Sequence, residues 1–181
     1  HSVAAEGGSV AIVPQRAGYT YGANVTLTPP PDADFTCVEW QGDAEGNQIP
    51  LLITMTEDVQ IDAVFKPLYQ LVTSVEAGQQ GLILVEPKKP VYVDGENVRL
   101  SAMPASGWRF VGWTGDLAGQ ENPAVVTMES NKDIGAQFGR AATLQVVAVG
   151  DGTISVSPSA QPDGYVVGET VTLTALPAAG W

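Results

Sequence analysis

The sequence predicts a mainly β protein built from tandem small antiparallel modules, with little or no helix. Three observations carry this reading. A shift of 73 residues aligns 14–65 with 87–138 without a gap, and 18 of the 52 positions are identical. Chance gives about three, at a random-match rate of roughly 6% for ordinary composition. Apolar β-branched residues alternate with polar ones between glycine and proline clusters, which is the period of a half-buried strand. No run of ten residues keeps a 3.6-residue apolar period. The expected helix content is at most one turn near 44–50 and 117–123.

The repeated pairs include Pro14/Pro87, Tyr19/Tyr92, Gly22/Gly95, Val25/Val98, Leu27/Leu100, Pro31/Pro104, Trp40/Trp113, Gly42/Gly115 and Asp43/Asp116. They continue with Pro50/Pro123, Thr54/Thr127, Met55/Met128, Ile61/Ile134, Ala63/Ala136 and Phe65/Phe138. A third copy begins near Ala141 and runs through Pro158, Gly168, Val171, Leu173 and Pro177 to Trp181, the counterpart of Trp108 and Phe35. The expected modules are 1–67, 68–140 and 141–181, the last being the first half of a third repeat. The joints fall at Lys66-Pro67-Leu68 and Gly139-Arg140-Ala141, and linkers this short should leave neighbouring modules touching.

Within a module the elements follow in order. An extended apolar run comes first: Val3, Leu71–Val75, Leu144–Val149. Gly7-Gly8, Gly78–Gly81 and Gly150-Asp151-Gly152 then supply the positive φ of a tight hairpin turn. The next strand alternates Val10 and Ile12, Ile83 and Val85, Ile154 and Val156, and ends at Pro14, Pro87 or Pro158, because proline cannot donate to a ladder. A loop carrying Tyr19, Tyr92 or Tyr165 leads to a third strand with Val25 and Leu27, Val98 and Leu100, or Val171 and Leu173 inward. The fourth strand, Phe35–Trp40 or Trp108–Trp113, changes parity midway: Phe35 and Cys37 share one face, Val38 and Trp40 the other. A switch of that kind predicts a β-bulge or a strand covered on both faces. Gly42-Asp43 and Gly115-Asp116 turn the chain. Strands at Leu51–Met55 or Ala124–Met128, and at Val59–Phe65 or Lys132–Phe138, complete the module. A unit of some 70 residues has a thin core, so Trp40, Trp113 and their neighbours should dominate it.

Composition narrows the function. Twenty acidic against eight basic residues give a net charge of −12, which disfavours nucleic acid and anionic lipid surfaces as partners. No uninterrupted apolar stretch approaches the roughly 18 residues of a membrane span, so no direct membrane insertion is expected. One cysteine, Cys37, and one histidine, His1, leave no internal disulfide and no Cys/His metal set. Residues 1–13 lack the basic start and apolar core of a signal peptide, as expected for a mature chain or an excised piece, with His1-Ser2 a processing or cloning scar.

The combined pattern of the second copy is Gly95, Val98, Leu100, Pro104, Trp108, Phe110, Trp113, Gly115, Asp116, Thr127, Met128, Ile134, Ala136 and Phe138. It resembles the divergent internalin-type B-repeat, also called the Listeria–Bacteroides-type repeat. The first copy departs by carrying Phe35 and Cys37 where the second has Trp108 and Phe110. The resemblance implies a β-grasp-like fold whose helix can be missing in divergent members. It also implies tandem occurrence on secreted or surface-anchored bacterial proteins, with no catalysis and no cofactor.

Each candidate site has a plain structural reading beside it. Asp43 and Asp116 suggest a metal or a catalytic carboxylate, but one carboxylate per module is too few for calcium, so a turn accepting backbone N–H groups is expected. Asp32 and Asp34 have no carboxylate counterparts at Ala105 and Gly107 and read as a solvated loop. Cys37 has no histidine to activate it and reads as a structural thiol. Trp40 and Trp113 read as core. Trp108 and the tyrosines Tyr19, Tyr92 and Tyr165, expected to be exposed, are the better ligand candidates. Asn24-Val25-Thr26 is an isolated glycosylation sequon. Lys66, Lys88, Lys89 and Lys132 raise covalent Lys–Asn/Asp cross-links; only Lys88 and Lys89 have a basic counterpart in the other copy, Arg16, and they sit beside prolines in a loop, which disfavours such links.

The expected function is a non-catalytic repeat segment acting as a stalk, spacer or adhesin module at the bacterial surface or outside the cell. Its partners would be the neighbouring repeat modules of the parent protein. The alternative is a module binding a polysaccharide or a host surface protein, appended to an exported enzyme or adhesin. An enzyme is disfavoured by the lack of a nucleophile–base pair or metal set. The half module at 141–181 should expose an unfinished core and pack on the second module or on a neighbouring chain.

Overall fold

The computed structural model describes residues 7–160 and 164–178. Fifteen strands follow one another without a helix among the described residues: β1 (Ala11–Val13), β2 (Ala23–Thr28), β3 (Phe35–Gly42), β4 (Leu51–Met55), β5 (Ile61–Tyr69), β6 (Leu71–Val75), β7 (Gly81–Glu86) and β8 (Tyr92–Val93). Then come β9 (Asn97–Pro104), β10 (Trp108–Gly115), β11 (Ala124–Thr127), β12 (Lys132–Ala142), β13 (Gly152–Ser157), β14 (Tyr165–Val166) and β15 (Thr172–Pro177). The mainly β expectation holds.

The repeat is visible in the pairing. The first copy forms one sheet in the order β1-β2-β4 and a second in the order β3-β5-β8. The second copy forms β7-β9-β11 and β10-β12-β14, with β6 also paired to β12. The parity switch is a bulge in both copies. The β3/β5 register slips between Cys37 and Glu39, and the β10/β12 register slips between Phe110 and Gly112. The extra residue, Val38 or Val111, lets side chains on both sides of it face apolar surroundings.

The chain divides into two compact units. One runs through Leu71 and takes in Lys89–Glu96 and Thr127–Asn131; the other holds Val72–Lys88, Asn97–Val126 and the residues from Lys132 onward. In the first, Val25, Leu27, Trp40 and Ala63 are buried, with Val10, Tyr19, Cys37, Ile53 and Phe65 packed around them. In the second, Val98, Leu100, Trp113, Ile134, Ala136 and Phe138 are buried. Phe110 meets Trp113 and Phe138 edge-on there, with ring centroids 5.0 and 6.1 Å apart.

Two expectations need correction. The helical turns near 44–50 and 117–123 do not form. Those loops fold back instead, and Trp40 and Trp113 make isolated bridges to Gly46 and Gly119. Leu144–Val149 is not a strand, and Val147 and Val149 lie open to water. Its counterpart β6 finds its ladder in β12, and among the described residues no strand pairs with Leu144–Val149. An apolar alternating run becomes a strand only where a partner satisfies its backbone groups. The run expected around Val3 lies outside the described residues.

Where the sequence reads as short linkers, the structure has strand. Lys66-Pro67-Leu68 lies inside β5 and Gly139-Arg140-Ala141 inside β12.

Candidate functional site

Two constructions recur along the chain, and most of the candidate residues belong to one of them. The first is built on the tryptophan loop. The Trp40 backbone N–H donates to the Gly46 carbonyl at 2.7 Å, and its indole N–H donates to the Gln48 carbonyl at 3.0 Å. Trp113 repeats both bonds, to Gly119 at 2.9 Å and to Glu121 at 2.7 Å. The indoles are 1% and 4% exposed. Each ring thus fills the core while its polar edge ties down the loop, the arrangement a buried tryptophan requires.

Asp43 and Asp116 lock the same loop to the last strand. The Asp43 N–H donates to the Gln60 carbonyl at 2.9 Å, and the Gln60 N–H donates to Asp43 Oδ2 at 2.7 Å. Asp116 and Asp133 exchange the same two bonds at the same distances. The expectation of a turn carboxylate accepting backbone N–H groups holds for the acceptor and fails for the range, since the donor lies 17 residues away. Gly42 and Gly115 make the close approach possible. Both have positive φ, and an added Cβ would run into the carbonyl oxygen of residue 60 or 133.

The second construction is the joint. Leu68 and Tyr69 at the end of β5 pair with Val93 and Tyr92 of β8. Ala141 and Ala142 at the end of β12 pair with Val166 and Tyr165 of β14, each position shifted by 73. The Leu68 N–H donates to the Asp34 carbonyl at 2.7 Å, and Ala141 donates to the Gly107 carbonyl at 2.9 Å. The Asp94 N–H donates to the Pro67 carbonyl at 2.9 Å, and Val167 donates to the Arg140 carbonyl at 2.8 Å. Asp34 is therefore a backbone position: it has φ 64° where Gly107 has 78°. Aspartate tolerates that left-handed conformation better than most residues.

The tyrosines belong to this joint, and the expectation that they are exposed is corrected for two of the three. Tyr92 is 2% and Tyr165 6% exposed, because the tail strand of the preceding module lies beside them. Tyr19 is partly buried. Its hydroxyl donates to the Pro14 carbonyl at 2.7 Å, and that of Tyr165 donates to the Pro158 carbonyl at 3.1 Å.

A glutamate completes the turn after two of these tyrosines. Glu96 accepts from the Val93 N–H at 3.2 Å, and Glu169 accepts from the Val166 N–H at 2.9 Å. Lys89 reaches Glu96 at 2.5 Å. That hydrogen bond holds the Glu96 carboxyl below the usual carboxylate range; the Val93 N–H and the lysine's charge act in the same direction, and partial burial opposes them.

The remaining candidates fall elsewhere. Burial pushes the Cys37 thiol up, opposed by a hydrogen bond with the Glu39 backbone. Trp108 is half-buried with the Arg140 guanidinium 5.7 Å from its ring centroid. Asn24 sits in β2 and accepts from the Thr54 hydroxyl across the ladder at 2.9 Å. The Lys66 ammonium lies 3.4 Å from the Asp94 backbone carbonyl, at the joint. An open polar cleft of about 410 Å³ is lined by Asp43, Thr54, Glu57 and Asp58. Among the described residues no group of three or more His, Cys, Asp or Glu is placed to hold a metal.

No curated protein and no solved structure matched the chain. The family model for the divergent InlB B-repeat domain matches it three times, at residues 1–68, 71–142 and 142–181. The three matches together span nearly the whole chain, and the chain belongs to the divergent InlB B-repeat family.

Proposed function

We propose that this chain is a load-bearing spacer segment of a secreted or surface-anchored bacterial protein, non-catalytic itself, holding a partner domain away from its point of attachment. The observation that supports this reading is the joint. The last strand of each complete module continues through the boundary and hydrogen-bonds into the next repeat's tyrosine turn, twice in the same register. A spacer must pass tension from one unit to the next without a slack linker between them. Strand continuity meets that requirement. The same construction suits display of an adhesin head.

Pulling the chain by its ends in a single-molecule force experiment tests the reading. Two cooperative unfolding events are expected, each releasing about 25 nm for 73 residues at roughly 3.5 Å per residue. Extension at low force without discrete events would contradict a load-bearing role.

A further inference from the structure

The three tyrosine turns are the same backbone structure in different surroundings. Gly22, Gly95 and Gly168 have φ of 81°, 83° and 92°. The Gly22 N–H donates to the Met55 carbonyl at 2.7 Å, and the Gly95 N–H donates to the Met128 carbonyl at 2.8 Å. At the second and third turns a tail strand is seated on the tyrosine edge, and the residue before the glycine, Asp94 or Val167, donates its N–H to that strand. At the first turn no strand among the described residues pairs with Tyr19 and Thr20. The residue in the donor position, Tyr21, is 84% exposed, and Tyr19 keeps partial exposure where Tyr92 and Tyr165 are buried.

We infer that the edge formed by Tyr19, Thr20 and Tyr21 is an acceptor site for the tail strand of a further B-repeat unit, joined ahead of it at the repeat spacing. The occupant is identified by the chain itself, which seats such a strand on the equivalent edge twice. The chemistry is strand addition: two residues pair with Tyr19 and Thr20, and one carbonyl takes the Tyr21 N–H. The side chains of the tail are secondary, since Leu68-Tyr69 and Ala141-Ala142 both serve. The turn and the donor amide come from the repeat alone, so the site stands whatever the array displays.

The test uses two fusions that keep the 73-residue period. One places residues 1–73 ahead of the full chain; the other places residues 68–146 there, ending in the second tail. Amide hydrogen exchange is read at Tyr21 in the full chain, with Asp94 as the internal standard. In either fusion Tyr21 exchange should slow by about tenfold or more, towards that of Asp94. Tyr21 exchanging in both fusions as it does in the unfused chain, while Asp94 stays protected, would overturn the assignment. Two tails of different sequence guard against one added unit failing to fold.

Discussion

The first and second modules carry the same hydrogen-bond plan on unequal cores. Both have the Trp loop, the aspartate lock and the bulge, bond for bond. Yet Phe138, Ile134 and Met128 are fully buried, while their counterparts Phe65, Ile61 and Met55 are only partly so. One cause is a missing ring: Phe110 links Trp113 to Phe138, and the first module has Cys37 in that place. The polar scaffold sets the path of the chain, and the aromatic filling sets how tightly it closes. The two are separable, because the first module keeps the scaffold with the poorer filling.

The largest test of that separation is the shared tryptophan. Trp40→Ala and Trp113→Ala should each cost about 3–5 kcal/mol, close to the stability of so small a unit, as read by urea denaturation. Equal loss of cooperativity in both modules is expected, since each ring serves filling and scaffold together. Next is Phe110→Cys, which gives the second module the first module's residue. It should cost about 2–4 kcal/mol and leave the Trp113 indole N–H resonance bonded to Glu121. Loss of that bond would show that filling and scaffold are not independent.

Asp43→Ala and Asp116→Ala should each cost about 1 kcal/mol, and by similar amounts in the two modules, because the bond they remove is the same. Thermal melts of the two variants check it. The smallest effect belongs to the joint. Glu96 is held below its ordinary pKa in the folded chain, so its contribution is present above the usual glutamate range near ~4.3 and is lost as pH falls through the lowered value. Glu96→Gln should therefore remove that small contribution at neutral pH, cost almost nothing at low pH, and so flatten the acid limb of the stability profile. A carboxyl NMR titration of Glu96 at or above the ordinary range would contradict this.

Much of the fold was legible because strand period is strict. The parity switch between Cys37 and Val38, and between Phe110 and Val111, marks the bulge at the right residue in both copies. What stayed hidden was non-local. Tyr92 and Tyr165 are buried by strands of the preceding module, so their own surroundings in the sequence gave no sign of it. Asp43 takes its proton donor from 17 residues away, which a local turn rule does not see. One overlooked signal was available: Asp34 opposite Gly107 at a repeated position is the mark of a left-handed residue, and that residue receives the tail strand. Leu144–Val149 shows the converse, an alternating run with no partner and therefore no strand.

The central claim is that the repeats are joined by continuous strand. Amide hydrogen exchange on the intact chain tests it most directly at Asp94 and Val167, the two donors that bind Pro67 and Arg140. Both should exchange slowly, at rates comparable with each other and well below those of the open run Leu144–Val149. Free exchange at both, with the tryptophan loops still protected, would mean that the modules are tethered by slack chain and the claim is wrong.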